Sequence, residues 1–297
     1  MPLLGEIAAV ATATMWAGSS LAFARATERL GTLVVNLVRL VLALGMLVPT
    51  AFVLRGEPWP SAVDGRAWAL LSLSGIVGLF AGDLCLFRAF VLLGPRLAQL
   101  VMALAPALTA LMGWVFLDES LSGRQVFGIA VTLAGILWAA SERTATQPLG
   151  SVAPRSSAGW LFALGGALGQ AGGLVLSKMG MRTVDPLAAT EIRTWAAVVG
   201  FIGLVSVRLA WPAVRAAMRD RQGLSATAVG AVFGPYLGVF LSMVAVQHTK
   251  AGIAASLMAL APVLVIPLVV WRRRERVGPR GWVGAAVAVC GAAILMA

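Results

Sequence analysis

A chain of 297 residues that is 60% hydrophobic and 12% charged falls outside the soluble globular class, where about a quarter of residues carry charge. Its net charge of +11 does not mark a nucleic-acid binder, because the arginines stand between apolar runs rather than on one helical face; they read as flanking charges that set membrane orientation. Cys85 and Cys290 lie inside apolar runs, and the single histidine, His248, sits between Gln247 and Lys250 near a helix end. There is no disulfide framework or metal-ligand spacing, and no cofactor is expected.

Crossing about 30 Å of hydrocarbon takes about 20 apolar residues. By that ruler ten spans are predicted in chain order, at roughly 3–25, 33–54, 67–88, 96–117, 124–141, 158–179, 186–208, 224–247, 251–271 and 279–297. The first lacks a preceding basic region and a convincing cleavage site, so it reads as a span and not as a removed signal peptide. Residues 142–157, rich in Ser, Thr, Pro and Gly, are the longest loop and read as a linker. Trp59, Trp68, Trp114, Trp138, Trp160, Trp211, Trp271 and Trp282 lie near span ends, as an interfacial belt would. Trp195 is deeper, and Trp16 lies near the centre of the first span, beside Ser19 and Ser20.

The chain repeats itself. Shifted by 156 positions, Met102-Ala103-Leu104-Ala105-Pro106 falls on Met258-Ala259-Leu260-Ala261-Pro262. At the same offset Glu119 falls on Glu275, Gly128 on Gly284, Gly135 on Gly291, and Gly78 and Gly82 on Gly234 and Gly238. Further upstream an offset of 154 brings Ala17-Gly18 onto Ala171-Gly172, Arg39 onto Arg193 and Trp16 onto Gln170. Each half therefore holds five spans. Since five is odd, the second half enters the membrane from the opposite side. That makes an inverted-topology repeat, whose substrate site is expected near the midplane between halves.

Glycines at four-residue spacing, Gly78 with Gly82 and Gly165 with Gly169 and Gly173, read as surfaces for close helix packing. Pro106 and Pro262 sit inside spans four and nine, where proline removes a hydrogen bond and bends a helix. Each is either a fixed kink or a hinge at a central cavity.

Ionisable residues inside spans are costly and are functional suspects. Arg39, Asp83, Glu191 and Arg193 stand out, one arginine and one carboxylate from each half, with Asn36 three residues before Arg39. In the functional reading the arginines hold an anionic group of a substrate, since a planar fork of donors suits carboxylate or phosphate, and a buried carboxylate carries a proton. In the plainer reading Arg39, about 9 Å into its helix, snorkels to the interface, and the acids pair with the arginines to lock the halves together. Tyr236, after Pro235 in span eight, needs a partner for its hydroxyl. The candidate cavity residues are thus Trp16, Ser19, Asn36, Arg39, Asp83, Gln170, Glu191, Arg193 and Tyr236.

On these features the chain resembles the drug/metabolite transporter superfamily, specifically proteins with two EamA domains. The features are ten spans in two halves, Arg39 and Arg193 early in the second span of each, and the run from Arg96 through Pro106 to Glu119 that recurs at 252–275. The resemblance implies an all-α integral membrane fold, with a first EamA repeat at 1–141, a linker at 142–157 and a second repeat at 158–297. It also implies a cytoplasmic-membrane secondary carrier without enzymatic activity. Such carriers are usually exporters of amino acids, other metabolites or toxic compounds, working by alternating access. Partners would be a small solute, lipid and protons as the candidate coupling ion, and ten spans suffice for a monomer. Small multidrug relatives use a glutamate in the first span; here only Glu6 stands at its start, so their proton-antiport mechanism does not transfer directly.

The resemblance implies cytoplasmic termini, but the basic residues argue otherwise. Loops after odd spans and their helix ends carry fifteen, including Arg25, Arg29, Arg88, Arg96, Arg143, Arg155 and the Arg272, Arg273, Arg274, Arg276 cluster. The opposite side carries six: Arg55, Arg66, Arg124, Lys178, Arg182 and Lys250. The positive-inside rule then faces both termini outward. Two other classes fit the sequence less well. A membrane enzyme would need a constellation such as paired histidines or a metal cluster, and a scaffold or sensor has no use for a symmetric cavity.

Overall fold

The computed structural model describes residues 3–93, 98, 101–141, 157–265 and 278–296. The linker residues 142–156, with Arg143 and Arg155, lie outside the described residues, as do Arg96, Trp271, Arg272, Arg273, Arg274, Glu275 and Arg276.

Every element among the described residues is helical. Helix α1 runs Leu4–Leu30 and α2 Thr32–Arg55. Helix α3 is continuous through Gly65–Ser74, Gly75–Gly82 and Asp83–Leu93. Then come α4 (Ala105–Leu117), α5 (Gly123–Ser141), α6 (Ser157–Gly180) and α7 (Pro186–Val207). A short α8 (Trp211–Ala217) precedes α9, continuous through Arg221–Ala231, Val232–Tyr236 and Leu237–His248. Helices α10 (Ala251–Met258) and α11 (Pro279–Met296) follow. Among the described residues seven helices are long and apolar enough to cross a membrane, namely α1, α2, Gly65–Ala89 of α3, α6, α7, α9 and α11. Ala105–Leu117, Gly123–Ala139 and Ala251–Val265 are equally apolar in character but shorter.

Local chemistry explains the boundaries. Gly31 and Gly56, both at φ 77°, end α1 and α2 in a conformation open to glycine at little cost. Asp64 caps α3 by accepting from the amides of Arg66 and Ala67, both at 2.9 Å. Asp220, 156 positions later, caps α9 in the same way through Gln222 and Gly223. Asp185 caps α7 ahead of Pro186, which needs no amide partner in the first turn. The irregularities recur at the same offset. A wide π-type turn occupies Gly75–Gly82 in α3 and Val232–Tyr236 in α9, and helical winding breaks at residues 103–104 and 259–260, just ahead of Pro106 and Pro262. Pro106 stands in the first turn of α4, where its missing amide costs nothing.

The packing is built on glycine. Helices α5 and α11 run antiparallel with backbones touching: a Cβ on Gly135 would overlap the backbone nitrogen of Ala288, and one on Gly291 that of Thr132. Gly135 and Gly291 are repeat partners, as are Thr132 and Ala288. Helices α3 and α6 meet likewise, with Gly78 against Gly173 and Gly82 against Gly169; a Cβ on Gly169 would come 2.7 Å from the Cα of Gly82. Helix α1 lies along α9, where Phe23 covers Gly230 and Gly234, and Trp16 covers Gly238. Helices α2 and α7 share an apolar seam of Leu40, Leu44, Leu47, Ala197 and Phe201.

At one end of the bundle, the α1 terminus is tied to the α9 cap. Arg29 donates to both carboxylate oxygens of Asp220, at 2.8 and 3.1 Å. The Arg29 guanidinium and the Gly223 amide hold the Asp220 carboxyl below the usual carboxylate range. A depressed folded-state pKa stabilises above the unfolded value, near 3.9, and that stability is lost as pH falls through the folded one. Melting of the wild type against Asp220→Asn should show a constant gap from about pH 7 to about pH 5 that closes below about pH 4.

Candidate functional site

Asp83 leaves the π-type turn of α3, which rotates the following residues relative to regular winding and is often found at functional positions. Helix α2 brings Arg39 to it: the guanidinium donates through Nη2 to Asp83 Oδ2. The two side chains are 13% and 18% exposed, so this ion pair is interior. Phe23 of α1 lies beneath the Arg39 guanidinium, 5.5 Å from ring centroid to Cζ.

Arg193, 4% exposed, approaches the same carboxylate from α7, beyond ion-pair distance but close enough for the two charges to act on each other. Its Nη1 donates to the Met243 sulfur at 2.8 Å. Glycines make the room, because a Cβ on Gly75 would overlap the Arg193 carbonyl and one on Gly78 would stand 3.5 Å from Nη2. Asn36, 2% exposed, spends its amide on the Thr32 carbonyl at 3.0 Å and leaves Oδ1 unpaired. One half-buried and one buried guanidinium group thus stand near one carboxylate, and Arg39 is the one paired with it.

The four charges, one arginine and one carboxylate from each half, do not all pair among themselves. Arg39 and Asp83 pair inside the first half. Glu191 turns away from Arg193, because residues two apart point to opposite sides of a helix, and its Oε2 accepts from Arg55 Nη2 at 2.6 Å. Arg55 also lies 3.7 Å from Asp185. The sequence places Arg55 only among the charges of loops and helix ends; its position in the last turn of α2 puts it over the first turns of α7. Trp195, one turn after Glu191, meets Trp59 at 5.9 Å, and Trp59 stacks on Trp68 at 5.2 Å.

The other candidates are placed as follows. Tyr236 shares a hydrogen bond of 2.9 Å with Thr50, joining α9 to α2. Trp16 is half-buried with its indole nitrogen over Gly238, and Ser19 returns its hydroxyl to the Trp16 carbonyl at 3.0 Å. Gln170 is half-buried and makes no polar contact among the described residues. Pro106 is buried and Pro262 exposed. His248 is exposed and bonds back to the Val244 carbonyl, 2.9 Å away. No group of three or more metal-binding side chains occurs among the described residues.

Six buried side-chain atoms among the described residues lack a hydrogen-bond partner: Asn36 Oδ1, Arg39 Nε, Arg55 Nε, Glu191 Oε1, Arg193 Nε and Trp195 Nε1. They fall into two groups, one around Asp83 and one around Glu191. Such atoms are expensive inside a protein and mark places awaiting water or a ligand.

The bundle end that holds the start of α1 is closed by a continuous polar network. Lys178 pairs with Glu119 at 2.5 Å and donates to the Thr249 carbonyl. Thr249 donates to Glu6 at 2.7 Å, Glu119 accepts from the Ala251 amide at 2.7 Å, and Lys250 reaches Gln125 at 3.1 Å. Cavities of about 360 and 290 Å³ flank the Lys178–Glu119 pair and share Lys178 and Gln247 as lining.

The model of the EamA-like transporter family matches residues 3–141 and again 157–297. The chain belongs to the EamA-like transporter family. It is therefore a multi-pass membrane protein of a transporter family, and the two matches carry the two-repeat organisation. Among solved structures, one crystal structure superposes with a TM-score of 0.75 at 20% identity, covering 98% of this chain and 95% of that one. At that identity the likeness speaks for the fold. A search of curated proteins found no match.

Proposed function

We propose that this EamA-family protein is a secondary exporter of small polar or anionic solutes, working by alternating access. The reading takes the bundle as ten spans in two inverted repeats, 1–141 and 158–297, joined by the linker, in the cytoplasmic membrane and active as a monomer. The matched irregularities in α3 and α9 and the paired glycine contacts of α5 and α11 support it. The positive-inside count favours outward-facing termini, so the polar network at that end is the external gate, closed.

One observation carries the substrate class. Arg39 pairs with Asp83, and the buried Arg193 stands near the same carboxylate without pairing to it. The surplus positive charge suits one anionic group of a solute, and a guanidinium offers it paired donors. Asp83 occupies that place when no solute does. Protonating Asp83 frees Arg39 for the solute, so solute anion and proton cross together, outward when the solute's own gradient points outward. Asn36 Oδ1 offers an acceptor for a further polar group on the solute.

The test is flux in liposomes that hold the purified protein and an internal pH dye, challenged with pooled amino acids, organic anions and phosphorylated metabolites. Entry from a pool of carboxylate- or phosphate-bearing solutes with a matching pH change is the expected result. Entry without a pH change would remove the proton from the mechanism. Folded, inserted protein that moves no pool would overturn the reading.

A further inference from the structure

The group around Glu191 is separate from the central pair and has the opposite charge balance. Arg55 is its one cation among the described residues, against the carboxylates of Glu191 and Asp185. Glu191 is 0% exposed, yet only Oε2 is used; Oε1 has no partner. Trp195 Nε1 and Arg55 Nε, both buried, are also unpaired. Glu191 and Trp195 are four residues apart on α7 and so share one face. Trp59, tilted 60° to Trp195 at 5.9 Å, closes a corner of two indole faces beside the carboxylate, backed by the stacked Trp68.

Each part has a ligand counterpart. An unpaired oxygen of a fully buried carboxylate, in a net-negative cluster whose Asp185 and Trp59 are exposed, calls for a cationic hydrogen-bond donor. Indole faces attract cations and bury planar apolar groups. The unpaired indole N–H of Trp195 calls for one acceptor oxygen close to that cation. We propose that this corner, formed by the end of α2, the segment bearing Trp59 and the first turns of α7, is a second binding site. Its ligand is an organic ammonium ion carrying a ring and a neighbouring hydroxyl or carbonyl oxygen. Arg55, 21% exposed, is the resident cation that such a ligand displaces from Glu191. A metal ion is a poorer occupant, because the tryptophans supply no ligating oxygen.

Melting of the purified full-length protein in detergent tests this without any transport assay, so a protein that moves no solute can still bind here. The probe is protonated 2-amino-1-phenylethanol; its counterpart is mandelate, with the same ring and hydroxyl but a carboxylate in place of the aminomethyl group. The amine is expected to raise the melting temperature saturably, as selective binding to the native state must, and mandelate is expected to leave this site empty. Glu191→Gln should weaken the amine's midpoint at least tenfold, and Trp195→Phe, which keeps a ring and removes the N–H, about threefold or more. Arg55→Gln should tighten it and enlarge the shift, an effect that a merely structural arginine would not produce. Arg39→Lys, in the central cluster, should leave the midpoint in place. An undiminished response in Glu191→Gln, a response lost in Arg39→Lys, or a mandelate shift that Glu191→Gln weakens as it does the amine's would each overturn the assignment. If Glu191→Gln does not fold, Arg55→Gln decides: a weaker or unchanged midpoint there also overturns it.

Discussion

Alanine at Arg193 is expected to lower solute flux at least tenfold in protein that still inserts and elutes as a single species. The expectation rests on charge and geometry together. Arg193 is nearly fully buried and gives its Nη1 to a methionine sulfur, a weak acceptor that a solute oxygen readily outcompetes. Removing it leaves Arg39 and Asp83 as a neutral pair with no surplus charge to attract an anion. A hydrogen bond to a charged group contributes about 1.5–3 kcal/mol, which corresponds to roughly tenfold to a hundredfold. Lysine at the same position keeps the charge and loses the paired donors, so it should fall between alanine and the wild type. Alanine at Arg39 should act differently, since it strands Asp83 as an unpaired buried carboxylate and so costs stability as well as flux. Alanine at the exposed Arg29 should leave flux unchanged. Initial rates in proteoliposomes at matched protein density check all four, and unaltered rates in both Arg39→Ala and Arg193→Ala would place the solute elsewhere.

The repeat was legible because composition leaves a glycine or proline wherever backbones must meet or a helix must break. Gly78, Gly82, Gly135 and Gly291 recur at one offset and the structure uses each at a helix crossing. Arg39 and Asp83 were legible as suspects because charge inside an apolar run is costly. Their pairing was not, since the partner of a buried charge depends on which helix faces meet. Glu191 shows this plainly: its sequence neighbour Arg193 points elsewhere, and its partner Arg55 lies 136 residues away. The π-type turns were also out of reach. Gly75, Gly78 and Pro235 mark weak helical winding, but only the contact with Arg193 and with α6 shows why the extra residue is accommodated there. The caps Asp64 and Asp220 could have been found, because both are aspartates at the repeat offset just ahead of an apolar run.

The glycine seam between α5 and α11 sets the largest stability effect. Any side chain at Gly135 meets the backbone of Ala288 and the carbonyl oxygen of Gly284, the latter at 2.7 Å, and backbone cannot rotate aside as a side chain tip does. Gly284 answers with the Gly135 carbonyl oxygen at 2.8 Å, so the two glycines let the helices touch on both sides. With lipid on the outer faces there is no hydrophobic gain from water to offset a wider spacing, and close van der Waals packing is what holds such helices together. Gly135→Leu is therefore expected to separate α5 from α11 and prevent recovery of folded protein. Gly135→Ala should still fold but melt lower, by about 3 kcal/mol or more on the scale of overpacked cores. Gly45 of α2 provides the contrast, since nothing lies within 4 Å of its Cβ direction. Gly45→Ala should melt at or slightly above the wild-type temperature, because alanine is the better helix former. Melting of the three variants by size-exclusion recovery after heating checks the order. A Gly135→Leu protein recovered intact, with the wild-type melting temperature, would mean that the two helices do not touch at Gly135 in the folded protein.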